Sequence, residues 1–210
     1  MEAATMTAEQ KQSQADHLIG VQRMFGVPAA YQGKSFRNFD DSRYQILNRL
    51  SALAQERCNL VICSQVTGIG KTHLGVGYQL LSWSHDRDQD SFQSSYLGHD
   101  VFRPRSPKAY IFTSCWTLAD EIRTAGVKYQ EYMNRIVGPG RRSILIDDVG
   151  REDSRNRRHI ESVIAQAHAN GMQIIITSNF TTAAFYNTYD PAVVRRIRER
   201  GGQIINLEPK

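Results

Sequence analysis

Cysteine is scarce: Cys58, Cys63 and Cys115 are the only three in 210 residues. They sit among apolar or strand-like neighbours, and no two are spaced as Cys-x-x-Cys. That argues against a disulfide framework or a thiolate zinc site and predicts reduced core thiols. Long apolar runs are missing as well. No stretch approaches the ~18–20 residues of a membrane span, and residues 1–11 lack the apolar run of a secretory signal. A cytoplasmic location without membrane contact is the expectation. Charge of one sign is not abundant either. Lys and Arg number 26 against 21 Asp and Glu, leaving +5 and a pI of about 9.2, which permits a nucleic-acid partner without demanding one. No internal repeat is visible. The length suits one α/β domain with a short extension, large enough to bury its own core.

What is present reads as alternating elements. Thr7-Ala8-Glu9-Gln10 is a capping box and predicts a helix with Leu18, Val21 and Phe25 on one face, ended by Gly26-Val27-Pro28. Residues 1–25 are read either as a tail packed loosely on the domain or as a short docking segment for a partner, with 26–210 as the core. A helix is expected over 42–56, where Ile46, Leu47, Leu50, Leu53 and Ala54 recur at helical spacing. Short apolar runs at 60–63, 110–113, 144–147, 173–177 and 203–207 read as strands. Helical patterns at 72–83, 118–124 and 159–169 separate them, which argues for a parallel sheet covered on both faces. Residues 84–108 are polar and rich in Asp, Ser, Arg and Pro, and read as a long surface insertion. His85, Asp86, Asp88, Asp90, His99 and Asp100 fall there without a recurring metal-ligand spacing, so a solvated loop is expected rather than a metal site.

The stretch Ser64-Gln65-Val66-Thr67-Gly68-Ile69-Gly70-Lys71-Thr72 follows a strand and opens a helix. That is the context of a phosphate-binding loop. Backbone N–H groups at a helix N-terminus aim at phosphate oxygens, and the helix dipole favours negative charge there. A nucleoside triphosphate is therefore the expected ligand, held by Thr67, Gly68, Ile69, Gly70, Lys71, Thr72 and His73. Lys71 is expected to reach the β- and γ-phosphates, with the Thr72 hydroxyl on Mg2+. The full pattern has a further glycine where this chain has Gln65.

The run Ile144-Leu145-Ile146-Asp147-Asp148 ends a buried strand in two acids, at the sheet edge where open α/β folds bind ligands. Asp147 is the candidate magnesium ligand, through a water. Asp148 is the candidate base that orients or deprotonates the attacking water. Ile174-Ile175-Ile176-Thr177-Ser178-Asn179 turns polar at its end. If that strand lies between the phosphate-loop strand and the carboxylate strand, Asn179 reaches the γ-phosphate or the water; the alternative is an ordinary cap. Arg195, Arg196, Arg198 and Arg200 follow Asp190-Pro191. They form a solvated face, a nucleic-acid patch, or the source of an arginine finger for a neighbouring subunit. Arg155-Asn156-Arg157-Arg158-His159 is a second basic run, facing either DNA phosphates or solvent.

Taken together, Gly26-Val27-Pro28, Ser35-Phe36-Arg37-Asn38-Phe39, Gly70-Lys71-Thr72-His73-Leu74, Asp147-Asp148-Val149-Gly150, Thr177-Ser178-Asn179 and Val194-Arg195-Arg196-Ile197 resemble the DnaC/DnaI helicase loaders and the related IstB transposition ATPases. These form a clade of AAA+ proteins, and the resemblance covers about residues 25–207. It implies a P-loop NTPase of AAA+ type with a parallel five-stranded sheet in the order 5-1-4-3-2. It also implies ATP as the nucleotide, assembly into a ring or spiral, single-stranded DNA as ligand and a DnaB-type hexameric replicative helicase as partner. By the same resemblance Lys71 and Thr72 fall at Walker A, Asp147 and Asp148 at Walker B and Asn179 at sensor 1. Arg196 falls at the family arginine, and Arg195 where an Asp is frequent. A C-terminal helical lid is not expected here. The readings that follow are a slow ATPase that loads a helicase, an IstB-like factor binding duplex DNA and a transposase, and a nucleotide-dependent binding module with negligible hydrolysis.

Overall fold

The computed structural model describes residues 7–39, 44–96 and 107–208. Five strands, β1 (Leu60–Cys63), β2 (Tyr110–Ser114), β3 (Ser143–Val149), β4 (Gln173–Ser178) and β5 (Gln203–Asn206), form one sheet in the order β2-β3-β4-β1-β5, with every pairing parallel. This is the expected 5-1-4-3-2 order. The apolar runs are continuous because helices cover both faces, so successive residues are buried on opposite sides.

Alternate residues of each strand divide between two cores. Val61, Ile144, Ile146, Ile174 and Ile176 pack under α4 (Cys115–Ala125), α5 (Tyr129–Val137), α6 (Ser154–Ala169) and α8 (Pro191–Arg198). Leu60, Ile62, Leu145 and Ile175 pack under α1 (Ala8–Met24), α2 (Tyr44–Gln55) and α3 (Lys71–Tyr96). The short α7 (Thr182–Thr188) leads into α8 and contributes the buried Phe185. All three cysteines are buried and free, as expected.

Three features differ from the sequence reading. First, α1 carries its capping box on Thr7 and Gln10, but its C-terminal half is not a loose extension. Val21 and Phe25 are buried in the core, and Phe25 stacks on Tyr110 at 5.2 Å between ring centroids. Just beyond the helix, the Phe25 carbonyl accepts a hydrogen bond from the Phe112 N–H of β2 at 2.7 Å. Residues 7–17 remain exposed. Second, α3 runs to Tyr96, so much of the stretch read as a surface insertion is helical. No Gly or Pro interrupts residues 78–97, so no helix breaker stops it there. Asp86 belongs to that helix and is buried, accepting a hydrogen bond from Tyr110 and lying 3.6 Å from Arg57. His99 and Asp100 lie outside the described residues, among which no cluster of three metal-ligating side chains occurs. Third, α5 and α7 are further helices. Among the described residues no helix is long and apolar enough to cross a membrane.

Candidate nucleotide-binding site

The carboxyl ends of β1, β3 and β4 and the N-terminus of α3 open on a cavity of about 720 Å³. Its lining includes Thr67 to His73 of the phosphate loop, Asp147 and Asp148 of β3, and Thr177 and Asn179 at the end of β4. Ligands bind in this position in open α/β sheets. The loop owes its shape to two glycines in the left-handed region, Gly68 (φ 71°) and Gly70 (φ 99°). Gln65, at the position of the absent first glycine, is not among the residues with positive φ. A side chain is therefore tolerated there.

Gly70 is required for a second reason. A Cβ at that position would lie 2.6 Å from Phe39, so the Ser35-Phe36-Arg37-Asn38-Phe39 segment packs directly on the loop. Phe36 packs in the same way on Gly77 of α3, where a Cβ would lie 2.7 Å from its ring. His73 joins this contact: its Nε2 is 2.9 Å from the Ser35 carbonyl oxygen and 3.0 Å from Asn38 Oδ1, and its ring meets Phe39 edge-on. Burial lowers the His73 pKa, the Ser35 carbonyl opposes this, and the Lys34 charge adds to the lowering. His73 lines the cavity, but its ring acts as a strut to the N-terminal segment.

Lys71 is buried, and its ammonium donates to the carbonyls of Ser64 and Val66 at 3.0 Å each. Burial lowers its pKa; the carboxylates of Asp148 and Asp147 oppose that, and the Arg151 charge reinforces it. Thr72 Oγ1 donates to Asp147 Oδ1 at 2.9 Å, and Thr177 Oγ1 donates to the same oxygen. Burial raises the Asp147 pKa against the pull of these two hydroxyls, Asp148 raises it further, and Lys71 lowers it. Both hydroxyls meet Oδ1 rather than Oδ2. A hydroxyl and a carboxylate converging on one wall of the cavity are the hard oxygen donors that magnesium takes. Thr72 and Asp147 thus fit the metal.

Consecutive strand residues normally point to opposite faces, yet Asp147 and Asp148 both line the cavity. The pairing of β3 with β4 slips between Ile146 and Val149, and Asp148 takes φ 62°. A bulge of this kind re-aims a side chain beside a site. Thr177 fastens it, because its Oγ1 also accepts the Asp148 N–H at 2.9 Å. The Asp148 side chain is then held from two sides. Asn179 Nδ2 donates to Oδ1, and Arg151 Nη1 lies 3.5 Å from Oδ2. β4 does lie between β1 and β3, which brings Asn179 to this carboxylate.

Arg195 and Arg196 are not at the cavity. They sit on α8, which packs on α6 and β5; Arg195 is exposed and 3.8 Å from Glu199. Arg198, also on α8, is exposed. Reasoning on sequence missed Thr177 as the clamp of the bulge and Arg151 as a cavity residue. It also missed Pro28, Ala30, Tyr31 and Lys34, which line the same cavity. The closeness of Arg151 to the Asp147-Asp148 pair along the chain was the available signal for that residue.

No family model matches the sequence, and no curated protein matches it. Solved structures do. The DnaC helicase loader superposes with a TM-score of 0.62 at 16% identity, covering 86% of this chain and 100% of that one. DnaI superposes at 0.58 and 14% identity, covering 90% of this chain and 92% of that one. The replication initiator DnaA bound to AMPPCP and single-stranded DNA superposes at 0.55 and 18% identity, covering 87% of this chain but 51% of that one. The chain therefore spans about half the length of that DnaA structure. It has the AAA+ P-loop fold of these replication proteins, which agrees with the resemblance its motifs carry.

Proposed function

We propose that this chain, folded as the DnaC and DnaI structures are, is an ATP-binding and ATP-hydrolysing protein of DNA replication that loads a hexameric helicase onto single-stranded DNA. The observation that carries the ATP reading is the convergence of Lys71, Thr72, Asp147, Asp148 and Asn179 on one cavity. Loop amides and the Lys71 ammonium bind phosphate oxygens. Thr72 and Asp147 would hold magnesium, which would supply charge neutralisation to the phosphate oxygens. Asp148 takes up a proton from the attacking water, and Asn179 holds that carboxylate in place. The arginines of α8 lie off their own cavity, so Arg195 or Arg196 acts on a neighbour's nucleotide in a ring or spiral. Hydrolysis by the isolated chain is then slow.

Single-turnover hydrolysis tests the enzyme reading. Wild type is expected to exceed Lys71→Ala and Asp148→Asn by at least about tenfold once oligomer and DNA are present. Equal rates for all three would leave a nucleotide-dependent binding module instead. The loader reading rests on the fold and on the exposed first half of α1. A stoichiometric complex with the replicative helicase is expected by light scattering, and its loss on deleting residues 1–16 would place the grip there. Deleting all of 1–25 is unsuitable, since Val21 and Phe25 belong to the core. Single-stranded DNA should bind more tightly than duplex, and more weakly as salt rises. A duplex preference would favour the transposition reading.

A further inference from the structure

The cavity holds a cation that neither the motifs nor the fold calls for. Arg151 follows the bulge of β3 and lines the cavity together with Lys71. Its backbone is fixed there by a short chain of contacts. Gly150 takes φ 110°, a conformation open to glycine, with Phe180 3.1 Å from where a Cβ would be. The Gly150 N–H donates to Glu152 Oε2 at 2.6 Å, and the Tyr189 hydroxyl, itself buried, donates to Glu152 Oε1. The chain is thereby folded back so that residue 151 stands over residue 148.

The Arg151–Asp148 pair itself adds little stability. Its side chains are 52% and 36% exposed, and solvent screens such pairs to about 0–1 kcal/mol. A contact that weak is readily shared. The guanidinium offers five N–H donors in a planar fork, so engaging Asp148 leaves others for phosphate oxygens. Arg151 and Lys71 face one cavity from different elements, the loop after β3 and the start of α3. A polyanion seated between the two cations meets a positive charge from each side.

We propose that Arg151 is a specificity-determining residue of this cavity, a guanidinium on the same protomer as the phosphate loop that recognises the terminal phosphate of a nucleoside triphosphate while tethering Asp148. The proposal rests on the nucleotide reading and adds to it a means of telling triphosphate from diphosphate. Lys71 serves both ligands through the phosphate chain. Arg151 serves only the one that reaches it.

The test is calorimetric titration of the full chain with AMPPCP and with ADP, each with magnesium. Arg151→Ala is expected to weaken AMPPCP by about tenfold or more, the scale of a charged hydrogen bond, and ADP by less than about twofold. Arg151→Lys should fall between, because it keeps the charge but loses the fork. Thermal unfolding of Arg151→Ala within about 1 °C of wild type would show that the fold is intact, as expected for an exposed pair. Either of two outcomes would overturn the proposal: equal losses for both nucleotides, leaving Arg151 a contact to phosphates they share, or no loss, leaving it a solvated side chain. Lys71→Ala, run in parallel, separates the two levels. If it binds both nucleotides as wild type does, or wild type binds neither, the nucleotide reading itself fails. If Lys71→Ala loses both while Arg151→Ala loses neither, only the present proposal fails.

Discussion

Replacing Asp147 by Asn should make the protein more stable while removing the carboxylate proposed to hold magnesium. The carboxylate is 6% exposed, and burial raises its pKa despite two hydroxyl donors and a nearby ammonium. Folding therefore favours the neutral form of this group more than water does. An asparagine preserves the geometry that matters for folding, because its Oδ1 accepts from Thr72 and Thr177 as the carboxylate does. Its amide nitrogen takes the place of Oδ2. The lost charge weakens two charge-assisted hydrogen bonds, while the desolvation cost disappears. With desolvation the larger effect, the net change is a gain, and each ~1 kcal/mol of it raises the Tm by about 2–4 °C in a chain of this size.

The pH dependence sharpens the test. A carboxylate whose folded pKa lies above its unfolded value costs stability as pH rises from the ordinary carboxylate range through the raised value, and the cost persists above it. The two proteins should therefore converge in acid, where Asp147 is protonated in both states, and separate toward neutrality. Thermal unfolding in a chelating buffer from the acid range to neutrality would measure this. A Tm several degrees below wild type at neutral pH would refute the reasoning. It would mean that the Asp147 charge is a net stabiliser, held by Lys71 and the hydroxyls more strongly than burial opposes it.

Two further outcomes are expected. Gly70→Ala should cost about 1–3 kcal/mol in chemical denaturation and weaken nucleotide binding, because it adds left-handed strain and drives a methyl into Phe39; an unchanged midpoint would mean that Phe39 moves aside freely. Asn59→Ala should cost about 1–3 kcal/mol, since the Asn59 side chain accepts the Ile174 N–H at 2.8 Å and donates to the Arg196 carbonyl at 3.3 Å. A near-neutral result would show that water replaces both bonds.

The sheet was legible because burial on both faces turns a strand into an unbroken apolar run, as in Leu60-Val61-Ile62-Cys63 and Ile174-Ile175-Ile176. The phosphate loop was legible because its chemistry depends on backbone amides and a fixed glycine spacing. The carboxylate pair was legible as composition but not as geometry. Nothing in Ile146-Asp147-Asp148-Val149 announces that Asp148 turns left-handed, and without that turn only one acid would face the cavity. Arg151 was hidden for the same reason, since its position depends on the bulge and on the Glu152–Tyr189 contact across the fold. The N-terminal helix read as peripheral because it has few apolar residues, although Val21, Phe25 and the buried Gln22 tie it to the core. The role of Phe36 and Phe39 depended on tertiary contacts with Gly77 and Gly70 that no local pattern encodes.

The hydrogen bond from Phe112 to the Phe25 carbonyl has a consequence for solubility. β2 is an outer strand of the sheet, and outer strands offer unpaired N–H groups on which other chains can template. The turn after α1 occupies one of those donors and lays Phe25 over Tyr110 beside it. The C-terminal end of α1 is thus a guard against edge-to-edge aggregation. Any event that peels the helix away would bare both a sticky ring and an open backbone donor at the same place.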